Sequence, residues 1–330
     1  MSLTLSILDL ADVAEGETTG QRLHHSVELA QVAERSGYRR IWYAEHHNMA
    51  TIASAATSVL IAHVAANTAT IRLGSGGVML PNHSPLTIAE QFGTLAELHP
   101  GRIDLGLGRA PGTDQVTVQA LRRHPAAAER FPDDVRELQG YLSDRTLVAG
   151  VEATPGKGTR VPLTILGSSL FGAQLAAAFG LPYGFASHFA PEALEPAVAT
   201  YRREFRPSEQ LDRPHVIAGI NVFAADTRDE ADAQVTAAKR RRTQLFFGRD
   251  RTLTDDEIDT ILGSPAGERV QQMMRYTAVG TGAEVVDELE RFAAHADADE
   301  LILASAAPDQ AARLRTFELV ATANRARAAA

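Results

Sequence analysis

Arg39-Arg40-Ile41-Trp42-Tyr43-Ala44-Glu45-His46-His47 reads as a short apolar strand that delivers a carboxylate and two imidazoles at its C-terminal end. Successive side chains on a strand point to opposite faces. His46 and His47 therefore serve different surroundings: one faces a central cavity, and the other packs or hydrogen-bonds behind it. α/β folds place their chemistry at the C-terminal ends of their strands, and other strands of this chain end in a related way. Ala69 to Gly74 runs into Gly74-Ser75-Gly76-Gly77, Arg102 to Leu107 into Gly106, Gly108 and Gly112, and Leu163 to Leu166 into Gly167-Ser168-Ser169.

Outward from these stretches, the pattern alternates along the whole chain. Leu3 to Leu10 is a continuous apolar run, and Gln21 to Ser36 has helical spacing closed by Gly37 as a C-cap glycine. Residues 52–66 form a helix without a single charged residue, which predicts burial on most of its sides. Ser84-Pro85 is an N-cap followed by proline at the first helical position, opening a helix to about Leu98. Further strands are expected at 183–186, 216–224 and 300–303, and further helices at 129–142, 191–205, 228–244, 283–295 and 309–325. Pro155-Gly156-Lys157-Gly158 marks 146–161 as a surface hairpin. Residues 246–280 break the rhythm as a charged, irregular insertion. Eight strands alternating with helices predict a single (β/α)8 TIM barrel. A doubly wound open sheet is the alternative, but it wants a glycine-rich first βα turn, and Ala11-Asp12-Val13-Ala14-Glu15-Gly16 is not one.

Composition narrows the function. The chain has 330 residues, 45% of them hydrophobic, with a formal charge of -9 and no cysteine. Without cysteine there are no disulfides and no thiolate metal sites. The negative charge argues against nucleic acid, whose binders carry a basic surface. No run reaches the ~20 apolar residues that span a bilayer, and Met1-Ser2-Leu3-Thr4-Leu5 lacks the basic start of a signal peptide. The expectation is a soluble, cytoplasmic protein. No metal site is expected either: His46 and His47 are neighbours rather than i, i+2, and no His-Glu-x-x-His occurs. Gly-x-Ser-x-Gly and Walker loops are absent as well.

Three glycine-rich strand ends on one rim, beside Glu45-His46-His47, point to a large planar ligand that backbone approaches closely. The plainer reading of each glycine cluster is a tight βα turn. Arg109 follows the second cluster, and Ser168-Ser169 open a helix, a combination suited to phosphate. For Arg109 the plainer reading is a surface salt bridge. Ile7, Tyr43, His188 and Phe189, all near strand ends, are the expected pocket lining and suggest an apolar or aromatic substrate.

In this order, Ala44-Glu45-His46-His47, Gly74-Ser75-Gly76-Gly77-Val78-Met79-Leu80-Pro81, Ala89-Glu90-Gln91, Pro100-Gly101-Arg102-Ile103-Asp104-Leu105-Gly106-Leu107-Gly108-Arg109, Leu166-Gly167-Ser168-Ser169 and Gly180-Leu181-Pro182 resemble the bacterial luciferase-like flavin monooxygenases. The resemblance is strong over 36–112 and 163–190 and fades across 240–280. It implies a barrel that uses reduced FMN, supplied by a separate flavin reductase, and dioxygen to oxygenate a small substrate through a flavin hydroperoxide. His46 matches the histidine beside the flavin ring, and Gly76 and Gly77 the pair joined by a non-prolyl cis peptide behind it. Arg109 and Ser169, with Ser168 beside it, match the phosphate contacts. Gly172 stands where the family has a threonine, leaving backbone contact only, and Arg130 matches a second phosphate arginine. Glu45 reads as a structural carboxylate. The resemblance also implies a homodimer through the helices 52–66 and 85–98, and 246–280 is expected to act as a lid. A deazaflavin-dependent hydride-transfer enzyme and a non-catalytic flavin-binding protein are the alternatives.

Overall fold

Eight parallel strands close on themselves in the computed structural model, which describes residues 3–14, 16–248 and 251–329. In chain order they are β1 (Leu5–Asp9), β2 (Arg40–Tyr43), β3 (Arg72–Met79), β4 (Ile103–Gly108), β5 (Leu163–Gly167), β6 (Tyr183–Phe185), β7 (Val216–Ala224) and β9 (Glu300–Ala304). Each pairs with the next, β7 pairs with both β6 and β9, and β9 pairs with β1 to complete the ring. The predicted (β/α)8 barrel is the observed fold. Its helix boundaries follow local chemistry. Thr18 and Gln21 form a capping box at the start of α1 (Thr19–Ser36), and Gly37 ends it at φ 80°, where a side chain would be strained.

The barrel interior is layered. Leu8, Trp42, Ala44, Ile217, Ile302 and Ala304 form an apolar inner cluster. Beneath it, at the N-terminal end of the strands, lies an ionic floor. Arg40 Nη1 donates to Asp104 Oδ2 at 2.9 Å and Arg40 Nη2 to Glu300 Oε2 at 3.2 Å, while Ser6 Oγ donates to Glu300 Oε1 at 2.5 Å. Burial alone would raise the Glu300 pKa, but hydrogen bonding to His215 and the charge of Arg40 hold it below its ordinary value. The floor closes one end of the barrel, so a ligand must enter from the other.

Four features differ from the sequence expectation. Residues 146–161 contain no strand: their backbone bonds run to the end of α5 (Phe131–Leu142), through Gly158 N–H to Ser143 O and Arg160 N–H to Leu142 O, rather than across a hairpin. The uncharged helix is shorter than read, α2 spanning Thr57–Ala65, and one face is open, with Val59 68% exposed. The insertion is ordered wherever it is described. It holds α9 (Asp255–Leu262), α10 (Pro265–Met273) and an extra strand, β8 (Thr277–Gly280), while Arg249 and Asp250, like Glu15 of the first loop, lie outside the described residues. Finally, the helix over 228–244 belongs with that insertion. As α8 (Arg228–Phe247) it packs on β7, β8, α9 and α10, and α11 (Gly282–His295) takes the barrel-helix position against β7 and β9. The cause is the length of β7. Its last four residues pair with β8, Asn221 opposite Thr277 through Ala224 opposite Gly280, and the last three of them run past its pairing with β9. This extension supports α8, on which α9 and α10 pack, and Arg241 of α8 donates to Ala306 O and Ala307 O just beyond the C-terminal end of β9.

Candidate active site

The C-terminal rim collects His46, Gly76, Gly77, Arg109, Ser168, Ser169 and Gly172, all from the ends of β2 to β5. Past β2, which ends at Tyr43, the adjacent imidazoles separate to different surroundings. His47 Nε2 hydrogen-bonds to the buried Glu45 carboxylate at 2.9 Å, as does His83 Nε2 at 2.8 Å. Met79 N–H also donates to Glu45, at 3.1 Å, tying the end of β2 to that of β3. Burial would raise the Glu45 pKa, but the hydrogen bonds from His83 and His47 lower it, so it remains a carboxylate. Glu45, His47 and His83 have the composition of a cation site, with donor atoms within 4.8 Å of one another. Here the imidazoles bond the carboxylate, and the triad braces the wall behind His46.

His46 is half-buried on the other side. Its Nδ1 is buried and has no hydrogen-bond partner among the described residues, and burial lowers its pKa below the ordinary value. A neutral imidazole with one idle buried nitrogen carries a desolvation penalty of about 1–3 kcal/mol, which a ligand at that nitrogen would offset.

The bond between Gly76 and Gly77 is cis. A Cβ on Gly76 would lie 2.8 Å from Leu8 Cδ1, and one on Gly77 would lie 2.6 Å from both Gly106 O and Leu166 Cδ1. Gly77 is thus required by the close approach of β3 to β4, and Gly76 by the inward side chains Leu8 and Trp42 of β1 and β2, reasons that hold before any ligand binds.

The phosphate candidates meet at the start of α6 (Leu170–Phe179). The Arg109 guanidinium is exposed and lies 4.1 Å over the Phe171 ring, at the second residue of that helix. Ser169 is the N-cap residue, yet its hydroxyl makes no capping bond. Tyr183 OH holds the turn by donating to Ser169 O at 3.0 Å. Gly172 is buried, and a Cβ there would lie 3.2 Å from the Tyr183 ring. A helix N-terminus with unused amides, an idle hydroxyl and an arginine alongside suits an anion. These features fit a phosphate-bearing flavin. Arg130 has a different partner, Asp134 at 3.7 Å, and is 72% exposed.

Two lining residues were misplaced by the sequence reading. Ile7 and Tyr43 belong to the core between strands and helices, on the outer face of the barrel. Leu8, Trp42 and Ala44, of opposite parity, face inward. His188 and Phe189 do stand at the mouth, with ring centroids 5.1 Å apart. The sequence reading missed His83, Asp12 and Arg242. His83 meets Glu45 across 38 residues of sequence, and no local pattern announces such a contact.

The profile of the luciferase-like monooxygenases matches residues 3–299. A luciferase-like monooxygenase of Escherichia coli K12 is 48% identical over 321 residues, covering 96% of each chain. The N-acetyl-S-alkylcysteine monooxygenase of Bacillus subtilis strain 168 is 32% identical over 97% of this chain and 98% of its own. The crystal structure of apo-MsnO8 superposes with a TM-score of 0.88 at 35% identity, covering 98% of both chains. With the barrel, the rim residues and these likenesses together, the chain belongs to the luciferase-like monooxygenase family of oxidoreductase enzymes.

Proposed function

We propose that the chain binds reduced FMN across the C-terminal mouth of the barrel, receives it from a separate reductase, and uses it with dioxygen to oxygenate a small organic acceptor with an apolar body. The carrying observation is the pairing of two idle polar groups on one rim. The α6 N-terminus with Arg109 and Ser169 suits the phosphate, and the buried, unpartnered His46 Nδ1, past the end of the strand paired with the one that carries Gly76 and Gly77, suits the ring. FMN supplies the activation of dioxygen when bound. The chain's own residues bind, orient and exclude water. Arg109, Ser168 and Ser169 hold the phosphate, and Gly172 contributes backbone alone. Gly76 and Gly77 give the ring a surface without side chains. His46 remains neutral at pH 7 and holds a proton on one ring nitrogen while accepting at the other. Helices α8 to α10 limit water at the rim.

The same helix terminus would accept the phosphate of a deazaflavin coenzyme, so the decisive experiment compares ligands. Anaerobic titration with reduced FMN, riboflavin and deazaflavin coenzyme should show FMN bound most tightly. Admission of air with an acceptor should then consume oxygen and give an oxygenated product. FMN binding no better than riboflavin would remove the phosphate assignment, and tighter deazaflavin binding would change the cofactor. A homodimer is part of this reading: Val59 of α2 and Leu98, which ends α3 (Pro85–Leu98), expose 68% and 65% of their surface, and a second copy would cover them. We place the enzyme in the cytoplasm. The chain has no cysteine, and no helix among the described residues is long and apolar enough to cross a membrane.

A further inference from the structure

The rim has a second half. The residues assigned to the cofactor come from β2 to β5, whereas the ends of β6, β7, β9 and β1 carry a different polar set. His188, after β6, packs its ring on the inner face of β7, where a Cβ at Gly219 would collide with its Nδ1. Asn221 Nδ2 fixes the His188 backbone by donating to its carbonyl at 2.7 Å. Arg242 of α8 reaches the same place: its charge acts on His188 and on Asp12, beyond β1. Asp12 and His188 in turn act electrostatically with His46. His46, His188, Asp12 and Arg242, from four different elements, thus lie within electrostatic reach of one another at the C-terminal side of the barrel.

This cluster is incomplete. Arg242 Nη1 and His188 Nδ1 are buried without a hydrogen-bond partner among the described residues. The neighbouring guanidinium groups of Arg22 and Arg313 also leave a buried Nε idle, but each has an acid beside it. Arg22 Nη2 and Arg313 Nη2 both donate to Asp9 Oδ1 at 2.7 Å, and Arg241 donates to two carbonyls. Asp12 is the one acid whose charge acts on Arg242, but it acts with Arg313 and Arg22 as well and makes no hydrogen bond to the idle Arg242 Nη1. Burying a cation with an idle N–H face is costly unless an anion meets it.

We propose that Arg242, flanked by His188, is a carboxylate subsite for the acceptor, so that the substrate is an organic acid whose oxidisable end lies toward His46. The planar guanidinium favours a carboxylate because its two N–H bonds can run parallel to both oxygens. The oxidation at the other end rests on the FMN reading; binding of the acid does not.

The test uses the full-length protein, flavin-free and FMN-loaded. Hexanoate, phenylacetate and N-acetyl-S-methylcysteine are each titrated calorimetrically beside their primary amides. At least one acid should bind about 10- to 100-fold more tightly than its amide, the range of a charge-assisted pair. Arg242→Met should abolish that ratio while leaving affinity for the amide and for FMN unchanged. Arg242→Lys should retain part of the ratio, and it carries the test alone should the methionine variant not fold. Acids and amides binding alike, or no acid binding at all, would overturn the proposal. So would an Arg242→Met loss that falls equally on FMN, which would place Arg242 against the flavin instead. Failure of FMN to bind while the acids still do would count against the cofactor reading only.

Discussion

Removing the Arg109 guanidinium should weaken FMN and leave riboflavin nearly untouched. The side chain is already placed, 4.1 Å over the Phe171 ring at the first turn of α6, so little ordering is required when a phosphate arrives. A hydrogen bond to a charged group contributes about 1.5–3 kcal/mol. Arg109 is exposed on its outer side, where solvent screens the pair, and the lower part of the range applies, about 1.5–2 kcal/mol. That corresponds to an Arg109→Ala loss of roughly 10- to 30-fold in FMN affinity. The stacking on Phe171 exists before the ligand binds and so cancels from the difference. Arg109→Lys should fall between, because it keeps the charge and loses the planar fork. Quenching of flavin fluorescence in anaerobic titrations reads both ligands on one scale. Raising the salt concentration should narrow the gap between FMN and riboflavin in the wild type more than in the alanine variant. Equal losses for the two flavins in Arg109→Ala would refute the phosphate role.

Three further outcomes are expected. Burial, with Arg242 and His46 nearby, pushes the His188 pKa down to about 3, whereas the unfolded chain binds that proton near pH 6.5; stability is therefore full above pH 6.5 and declines below it by about 1.4 kcal/mol per pH unit for this one group. Urea unfolding between pH 7.5 and 5 should show that slope reduced in His188→Leu, and an identical slope would contradict the burial argument. Gly77→Ala would bring a Cβ to 2.6 Å from Gly106 O and Leu166 Cδ1, at a cost of about 1–3 kcal/mol, so the melting temperature should fall; an unchanged one would mean that β3 and β4 can separate freely. Replacing residues 255–273, which carry α9 and α10, with a short Gly-Ser linker should leave FMN affinity intact and raise the share of oxygen lost as hydrogen peroxide, and unchanged coupling would show that these helices are not a lid.

The local rules were enough for the barrel and for the rim. Gly37 and Gly180 end their helices at φ 80° and 62°, and glycine-rich strand ends mark where backbones crowd together. Neighbouring positions 46 and 47 take different surroundings, as expected from alternation, although β2 itself ends at Tyr43. These facts depend on a few consecutive residues, so sequence by itself determined the fold class and most barrel strands and helices, and it brought His46, Gly76, Gly77, Arg109 and Ser169 forward as candidates. Parity was a different matter. Alternation says that Ile7 and Leu8 face opposite sides but not which side is inside, and on a strand buried on both faces each choice looks apolar; closure of the ring placed Leu8 within and Ile7 without. Charge partners came from far away in sequence, as with Arg40 and Glu300 across 260 residues. The insertion was decided in the same way. Thr277-Ala278-Val279-Gly280 is too short to show a period, and it is a strand because β7 runs past its pairing with β9 and offers it an edge. That single pairing turned an irregular insertion into a strand that packs with β7 against α8, a contact between segments far apart in sequence that only the tertiary structure decides.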